Sequence, residues 1–201
     1  MSPDFRSAVA AYIRREAMPE EKYGHQPRVY ALTRLIGEGL EYDDDVVYAA
    51  AWLHDLGVFV GHRPEDPQKL VQWDHVAYTV ERIQGILEDA GFPADKVPAV
   101  IDAIRTHQPE DDPKTIEATI LRDADILEQL GAIGILRGVS KIGRDTRYKT
   151  FTSAVANLRR SLQDLPARLR LESARNLAEP KVRILRQFLE AADLEGKPEL
   201  F

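Results

Sequence analysis

Apolar residues recur at intervals of three and four through nearly the whole of this chain, and no stretch alternates apolar and polar residues between hairpin turns. A chain patterned in this way folds into amphipathic helices, so an all-α fold is expected. Its 201 residues are enough to bury a full hydrophobic core, and nothing between the helical segments has the composition of a long linker. The expectation is one compact domain over residues 1–201, with a core at about 22–140 and covering helices at about 148–195.

After Pro27, the residues Val29, Leu32, Ile36 and Leu40 form one helical stripe, with His25 just before it. The acids Asp43, Asp44 and Asp45 precede an apolar body, Val46 to Leu56, that Gly57 closes, which places His54 and Asp55 in its last turn. The stretch VFVGHRPEDPQKLVQW holds Gly61, Pro64 and Pro67 and is expected to form a loop over the site. Asp74 caps a helix bearing Val76, Val80, Ile83, Leu87 and Ala90, with His75 in its first turn and Gly91 at its end. Val97, Val100, Ile101 and Ile104 repeat the pattern, and His107 continues their face before Pro109 breaks it. A segment from Thr115 carries Asp123 and Asp125 in mid-helix, and the pattern then loosens over GAIGILRG. From about Tyr148 onward, FTSAVANLRRSLQDL and PKVRILRQFLEAADL read as two covering helices, amphipathic enough to offer a homo-oligomer interface.

His25, His54, His75 and His107 therefore stand near helix ends, accompanied by Asp55, Asp123 and Asp125. A carboxylate in the last turn of a helix opposes the helix dipole, so Asp55 calls for a cation nearby. Adjacent helical residues diverge by about 100°, so His54 and Asp55 reach one ion only off a helix end. The chain has no cysteine, which excludes disulfides and thiolate metal sites and fits a reducing, cytoplasmic location. Imidazole with carboxylate suits a divalent Mn, Fe, Co, Ni or Zn ion better than Ca or Mg, with Mg kept as an alternative. A net charge of −6 repels a phosphate backbone, so nucleic acid is not expected as the main partner. No run is long enough to cross a bilayer and the N-terminus lacks the apolar stretch of a signal peptide, so no membrane partner is expected. His62 reads as a surface residue, and Arg63, Lys69 and Arg122 as solvated charges with a weak claim on phosphate.

The ordered pieces GHQPRV, AAAWLHDLG, WDH, AIRTHQPED and LRDADILEQLGAIGILR resemble the HD-domain metal-dependent phosphohydrolase superfamily, in its small stand-alone bacterial branch. The likeness runs from about His25 to Glu195 and implies a helical HD-domain fold with a metal site between central helices. It implies metal ligation by His25, His54, Asp55 and one acid of the run Asp123-Ala124-Asp125. Residues two apart on a helix point about 200° away from each other, so one acid binds the ion directly. By the resemblance this is Asp125, which follows the small residue, while Asp123 orients a ligand or water from behind. His75 and His107 match positions that in some members bind a second ion or touch the substrate phosphate, so the site takes one or two ions. In a one-ion site either histidine serves as general acid. Arg28, three residues after His25, matches an arginine of the family motif and pairs with phosphate or braces a carboxylate.

The implied activity is hydrolysis of a phosphomonoester or phosphodiester by metal-bound hydroxide, with Asp55, His75, His107 and Arg28 as the catalytic group. Its partner is a small phosphorylated substrate, nucleotide-like by the resemblance alone. Two other readings share the residues: a di-iron oxygenase on the same fold, and a non-catalytic module that holds metal or nucleotide. Tyr78-Thr79 stands where small residues are usual, which is expected to narrow the pocket, and Glu128 replaces a usual aspartate.

Overall fold

The computed structural model describes residues 4–143 and 149–196. Among them are ten α-helices: α1 (Phe5–Glu16), α2 (His25–Ile36), α3 (Asp44–Leu53), α4 (Pro67–Val71), α5 (His75–Asp89), α6 (Val97–Arg105), α7 (Ile116–Glu128), α8 (Gly131–Val139), α9 (Phe151–Asp164) and α10 (Glu172–Gly196). No strand occurs among the described residues beyond an isolated bridge between Val60 and Arg63, so the fold is all-α as expected. The helices sort into two compact units, Met1–Ala124 and Asp125–Phe201, with the division falling inside α7.

In the first unit α3 is the central helix, packed by α1, α2 and α6. Its residues from Val46 to Leu53 are all buried, because a helix apolar on every side has no face to give to water. Its start is set by Asp43, whose carboxylate accepts from the backbone N–H groups of Asp45 at 3.0 Å and Val46 at 3.3 Å. Each fully buried leucine or isoleucine contributes roughly 1.5–3 kcal/mol, and Leu53, Leu56, Ile36, Ile83, Leu87 and Ile104 are all completely enclosed. Arg6 of α1 ties three helices together. Its guanidinium donates to Tyr30 Oη of α2 at 2.9 Å and to Asp44 and Asp45 of α3 at 2.9 and 2.6 Å, and it lies 4.8 Å over the Tyr48 ring. The start of α5 is fixed by Asp74, which accepts from the Ala77 N–H at 2.9 Å.

The loop expectation for VFVGHRPEDPQKLVQW needs correcting, because α4 forms within it. Asp66 caps Gln68 N at 2.8 Å and Pro67 supplies a pre-set first helical residue. His25 is the first residue of α2 and does not merely precede it.

In the second unit α8, α9 and α10 pack on one another. The loosened reading of GAIGILRG is also corrected: this stretch is α8, and its glycines serve close approach. A Cβ on Gly134 would stand 2.3 Å from the Gln129 carbonyl oxygen, and Gly131 takes φ +68° at the helix start. The expected beginning of the covering helices near Tyr148 lies outside the described residues. α9 starts at Phe151 behind a capping box of Thr150 and Ser153. No helix among the described residues is long and apolar enough to cross a membrane.

Candidate metal centre

The ends of separate helices bring four imidazoles around one carboxylate. α3 stops at Leu53, and His54, its capping residue, is fully enclosed. The His54 Nδ1 lies 2.9 Å from the Ala51 carbonyl oxygen. A carbonyl oxygen only accepts, so Nδ1 carries the proton and Nε2 is left with a lone pair facing the centre. His107, two residues beyond α6, repeats this arrangement with Nδ1 at 2.6 Å from the Ile104 carbonyl. Fixing the outer nitrogen to a carbonyl is how proteins orient an imidazole toward a metal.

His25 Nε2 lies 3.3 Å from His54 Nε2 and 3.4 Å from Asp55 Oδ2. Asp55 leaves the helix with φ −100° and ψ 16°, which turns its carboxylate back into the cluster. Its oxygens stand 3.8 Å from His54 Nε2 and 3.7 Å from His75 Nε2. Burial pushes the Asp55 carboxyl up, and the imidazoles of His54, His25, His75 and His107, in their protonated form, outweigh burial and hold it below the usual carboxylate range. The group is poised to remain an anion.

Three donors of the first unit lie within 4.8 Å of one another: those of His54, Asp55 and His107. Asp125 follows Ala124 by one step along α7. Asp123 is not among those donors; it is fully enclosed, with Arg122 Nη1 at 3.5 Å from its Oδ1. Imidazole nitrogens with their lone pairs inward and a carboxylate held ionised form a donor set that a divalent transition ion fits. His54, Asp55 and His107 can hold such an ion, and His25 Nε2 stands beside them at 3.3 Å from His54 Nε2.

Position is given to His75 by its neighbours rather than by its own helix alone. Thr79 Oγ1 donates to the His75 carbonyl at 2.7 Å and accepts from Gly57 N–H at 3.1 Å, while Trp73 Nε1 donates to Gly57 O at 2.8 Å. Thr79 is fully enclosed and pins the segment after Asp55 to the start of α5. Tyr78 lies under the Arg82 guanidinium at 3.6 Å and meets His62 Nδ1 through its hydroxyl at 2.9 Å.

Other residues fall differently from the sequence expectation. His62 is not a surface residue: its side chain is 13% exposed and also bonds Glu16 Oε2 at 3.1 Å. Arg122 is not solvated either, because its donors go to the carbonyls of Gln108 and Pro109. The Arg28 guanidinium lies beside Gly24, where a Cβ would meet its Nη1 at 2.8 Å. Lys69 is exposed on α4, and Arg63 follows the loop, its backbone N–H bonded to Phe59 O at 3.0 Å. Glu128 is enclosed near Arg137 at 3.5 Å.

Gln108 is the site residue that sequence reasoning missed. Its carboxamide nitrogen faces His107 Nε2 at 2.8 Å and His75 Nε2 at 3.2 Å. The only available signal was its place directly after a candidate histidine. A separate cleft of about 570 Å³ is lined by Glu41, Tyr42, Asp43, Asp44, Asp45, Lys96 and Glu117 and shares no residue with the imidazole cluster. Lys96 pairs with Asp43 at 2.7 Å, Arg6 with Asp44 and Asp45, and Arg34 with Asp44 at 3.2 Å, so three cations of the chain already face these three acids.

Residues 23–130, more than half of the chain, match a family model described as HD domain. The solved structure of Bacillus subtilis YpgQ in complex with ADP is similar at TM-score 0.72 and 23% identity, over 96% of each chain. An HD-superfamily hydrolase from Bacillus thuringiensis is similar at TM-score 0.69 and 20% identity, over 96% of this chain and 97% of that one. Ribonuclease Y of Desulforamulus reducens is 33% identical over 103 residues, which are 51% of this chain and 17% of that protein. The chain spans about a fifth of the length of the curated relatives it matches, 17% and 22%.

Proposed function

This chain belongs to the HD-domain family, and on that premise we propose that it is a metal-dependent phosphohydrolase acting on a small, nucleotide-like phosphomonoester or phosphodiester. The observation that carries the reading is the convergence of His25, His54, Asp55 and His75 at contact distances of 3.3 to 3.8 Å, with a His107 donor within 4.8 Å of those of His54 and Asp55. The nucleotide-like substrate is supported by YpgQ, whose structure holds ADP, and the ester class by the hydrolase and ribonuclease relatives. The chain's net charge of −6 favours a small substrate over a long polyanion.

Phosphate esters hydrolyse slowly because charge must be neutralised and a nucleophile aligned. A divalent ion supplies a Lewis acid that draws charge from the phosphoryl group and acidifies water. By the resemblance to the family, His25, His54, Asp55 and Asp125 are the residues that would hold it. In-line displacement puts the attacking water and the leaving oxygen on opposite sides of phosphorus, so two further groups are needed. Asp55, a carboxylate set among His25, His54 and His75, orients the water and takes its proton as the bond to phosphorus forms. His75, with 26% of its side chain exposed against 1% for His107 as a residue, faces substrate and gives the leaving oxygen its proton. The oxygen–phosphorus bond to the leaving group breaks as the bond to water forms.

The test is a screen of nitrophenyl phosphate esters and nucleoside phosphates, using chelator-stripped protein reloaded with Mn or Ni, alongside Asp55→Ala. Turnover that appears on reloading and falls to background in Asp55→Ala is the expected outcome. Tight nucleotide binding without turnover would favour the non-catalytic module, and iron-dependent consumption of oxygen would favour the oxygenase.

A further inference from the structure

We propose that Gln108 limits this centre to a single divalent ion, by seating its carboxamide nitrogen where a second ion would draw on His75 and His107. The inference rests on the reading above that the cluster binds a divalent ion.

His54 has only Nε2 to offer, since its Nδ1 is engaged by the Ala51 carbonyl at 2.9 Å. An imidazole nitrogen has one in-plane lone pair and binds one ion. An ion seated between His25 Nε2 and His54 Nε2, which lie 3.3 Å apart, takes that lone pair. Once His54 is taken, a second ion has as its nearest donors Asp55 Oδ1 and His75 Nε2, which lie 3.7 Å apart, together with His107 Nε2. The two nitrogens of that group are the ones that Gln108 faces, at 3.2 Å for His75 and 2.8 Å for His107.

The chemistry of the amide nitrogen decides the effect. It carries two hydrogens, one for each imidazole, and no lone pair that binds metal. The hydrogens also present positive dipole ends, which repel a cation. His107 must accept in this contact, because its proton sits on Nδ1 against the Ile104 carbonyl at 2.6 Å. A second ion therefore has to break both hydrogen bonds and turn the carboxamide away. The backbone of Gln108 is fixed, its N–H donating to Asp111 Oδ2 at 2.9 Å and its carbonyl accepting from Arg122 Nε at 3.2 Å, so the carboxamide leaves only by rotation about its side-chain bonds. Both backbone contacts survive a change of side chain.

The experiment is a manganese titration of chelator-stripped wild type and Gln108→Ala, with bound ions counted by elemental analysis after equilibrium dialysis. Circular dichroism verifies that each protein is folded, and Gln108→Ser replaces Gln108→Ala on the same criterion if the latter unfolds. One Mn per chain in wild type and two in the variant, with an electron paramagnetic resonance signal of coupled Mn pairs, is the expected result. Two ions in wild type, or one ion in the folded variant at millimolar Mn, overturns the assignment of Gln108 while leaving the metal centre standing. Zero ions in either protein overturns the metal reading itself.

Discussion

The guanidinium of Arg122 is 4% exposed and donates to the carbonyls of Gln108 and Pro109, beside the fully enclosed Asp123. It thereby clamps the turn that carries His107 and Gln108. Breaking a buried pair by removing one partner costs about 3–5 kcal/mol, because the other charge loses its compensation. Arg122→Ala should lower unfolding stability in urea by that amount, and a change under about 0.5 kcal/mol would contradict the clamp. None of this was legible in the sequence, where an arginine defaults to solvent. Asp45 gives a pH-dependent counterpart. The hydrogen bond from Arg6 holds its carboxyl below the ordinary value against the opposing effect of burial, with Lys96 adding to the lowering. A carboxyl lowered in the folded state contributes stability above its unfolded value of about 3.9, and that contribution is lost as pH falls through the folded value. The Asp45 side chain is 34% exposed, so screening limits the contribution to at most about 1 kcal/mol. Asp45→Asn should therefore be less stable than wild type at pH 7, with the gap closing below about pH 4. A gap that widens on acidification would contradict this pairing.

Helices were legible wherever an apolar stripe and a cap coincided, as with Asp74 and the stripe of α5, of which Ile83 and Leu87 are buried. They were illegible where glycine stood for closeness rather than for a break. In α8, Gly134 leaves room for the Gln129 carbonyl and Gly138 for Leu158, so the residue that lowers helix propensity is the one that lets the helix form there. Two glycines elsewhere make the distinction measurable. A Cβ on Gly57 would stand 2.6 Å from the His75 carbonyl oxygen, whereas one on Gly85, within α5, would meet nothing within 4 Å. Gly85→Ala should stabilise the protein by about 0.5–1 kcal/mol. Gly57→Ala should destabilise it by about 1–3 kcal/mol and, by pushing the start of α5 away from Asp55, lower metal-dependent turnover as well. Equal effects on turnover in the two variants would mean that the spacing between the Gly57 segment and α5 does not govern the site.

Over the whole chain, an ion that binds only the folded state stabilises it. At a concentration a hundredfold above its dissociation constant the gain is about 2.7 kcal/mol. For a chain of about 200 residues this corresponds to a fall of roughly 5–10 °C in melting temperature on chelation, restored by adding Mn. Much of the candidate site could be read from the sequence because few side chains offer metal-binding atoms, and His25, His54, His75 and His107 each lie at or just beyond a helix end. Gln108 could not be read in this way, since an amide has no ligand signature and its role depends on two imidazoles 33 and 1 residues away. The acids Asp43, Asp44 and Asp45 line a cleft that competes, in principle, for divalent ions, yet Arg6 and Lys96 already occupy them. Anomalous diffraction from crystals grown with a divalent transition ion separates the two places. A peak about 2.0–2.2 Å from His54 Nε2 is the predicted result; a strong peak confined to the cleft of Asp43, Asp45 and Glu117, with nothing at His54, would contradict the assignment of the imidazole cluster as the metal centre.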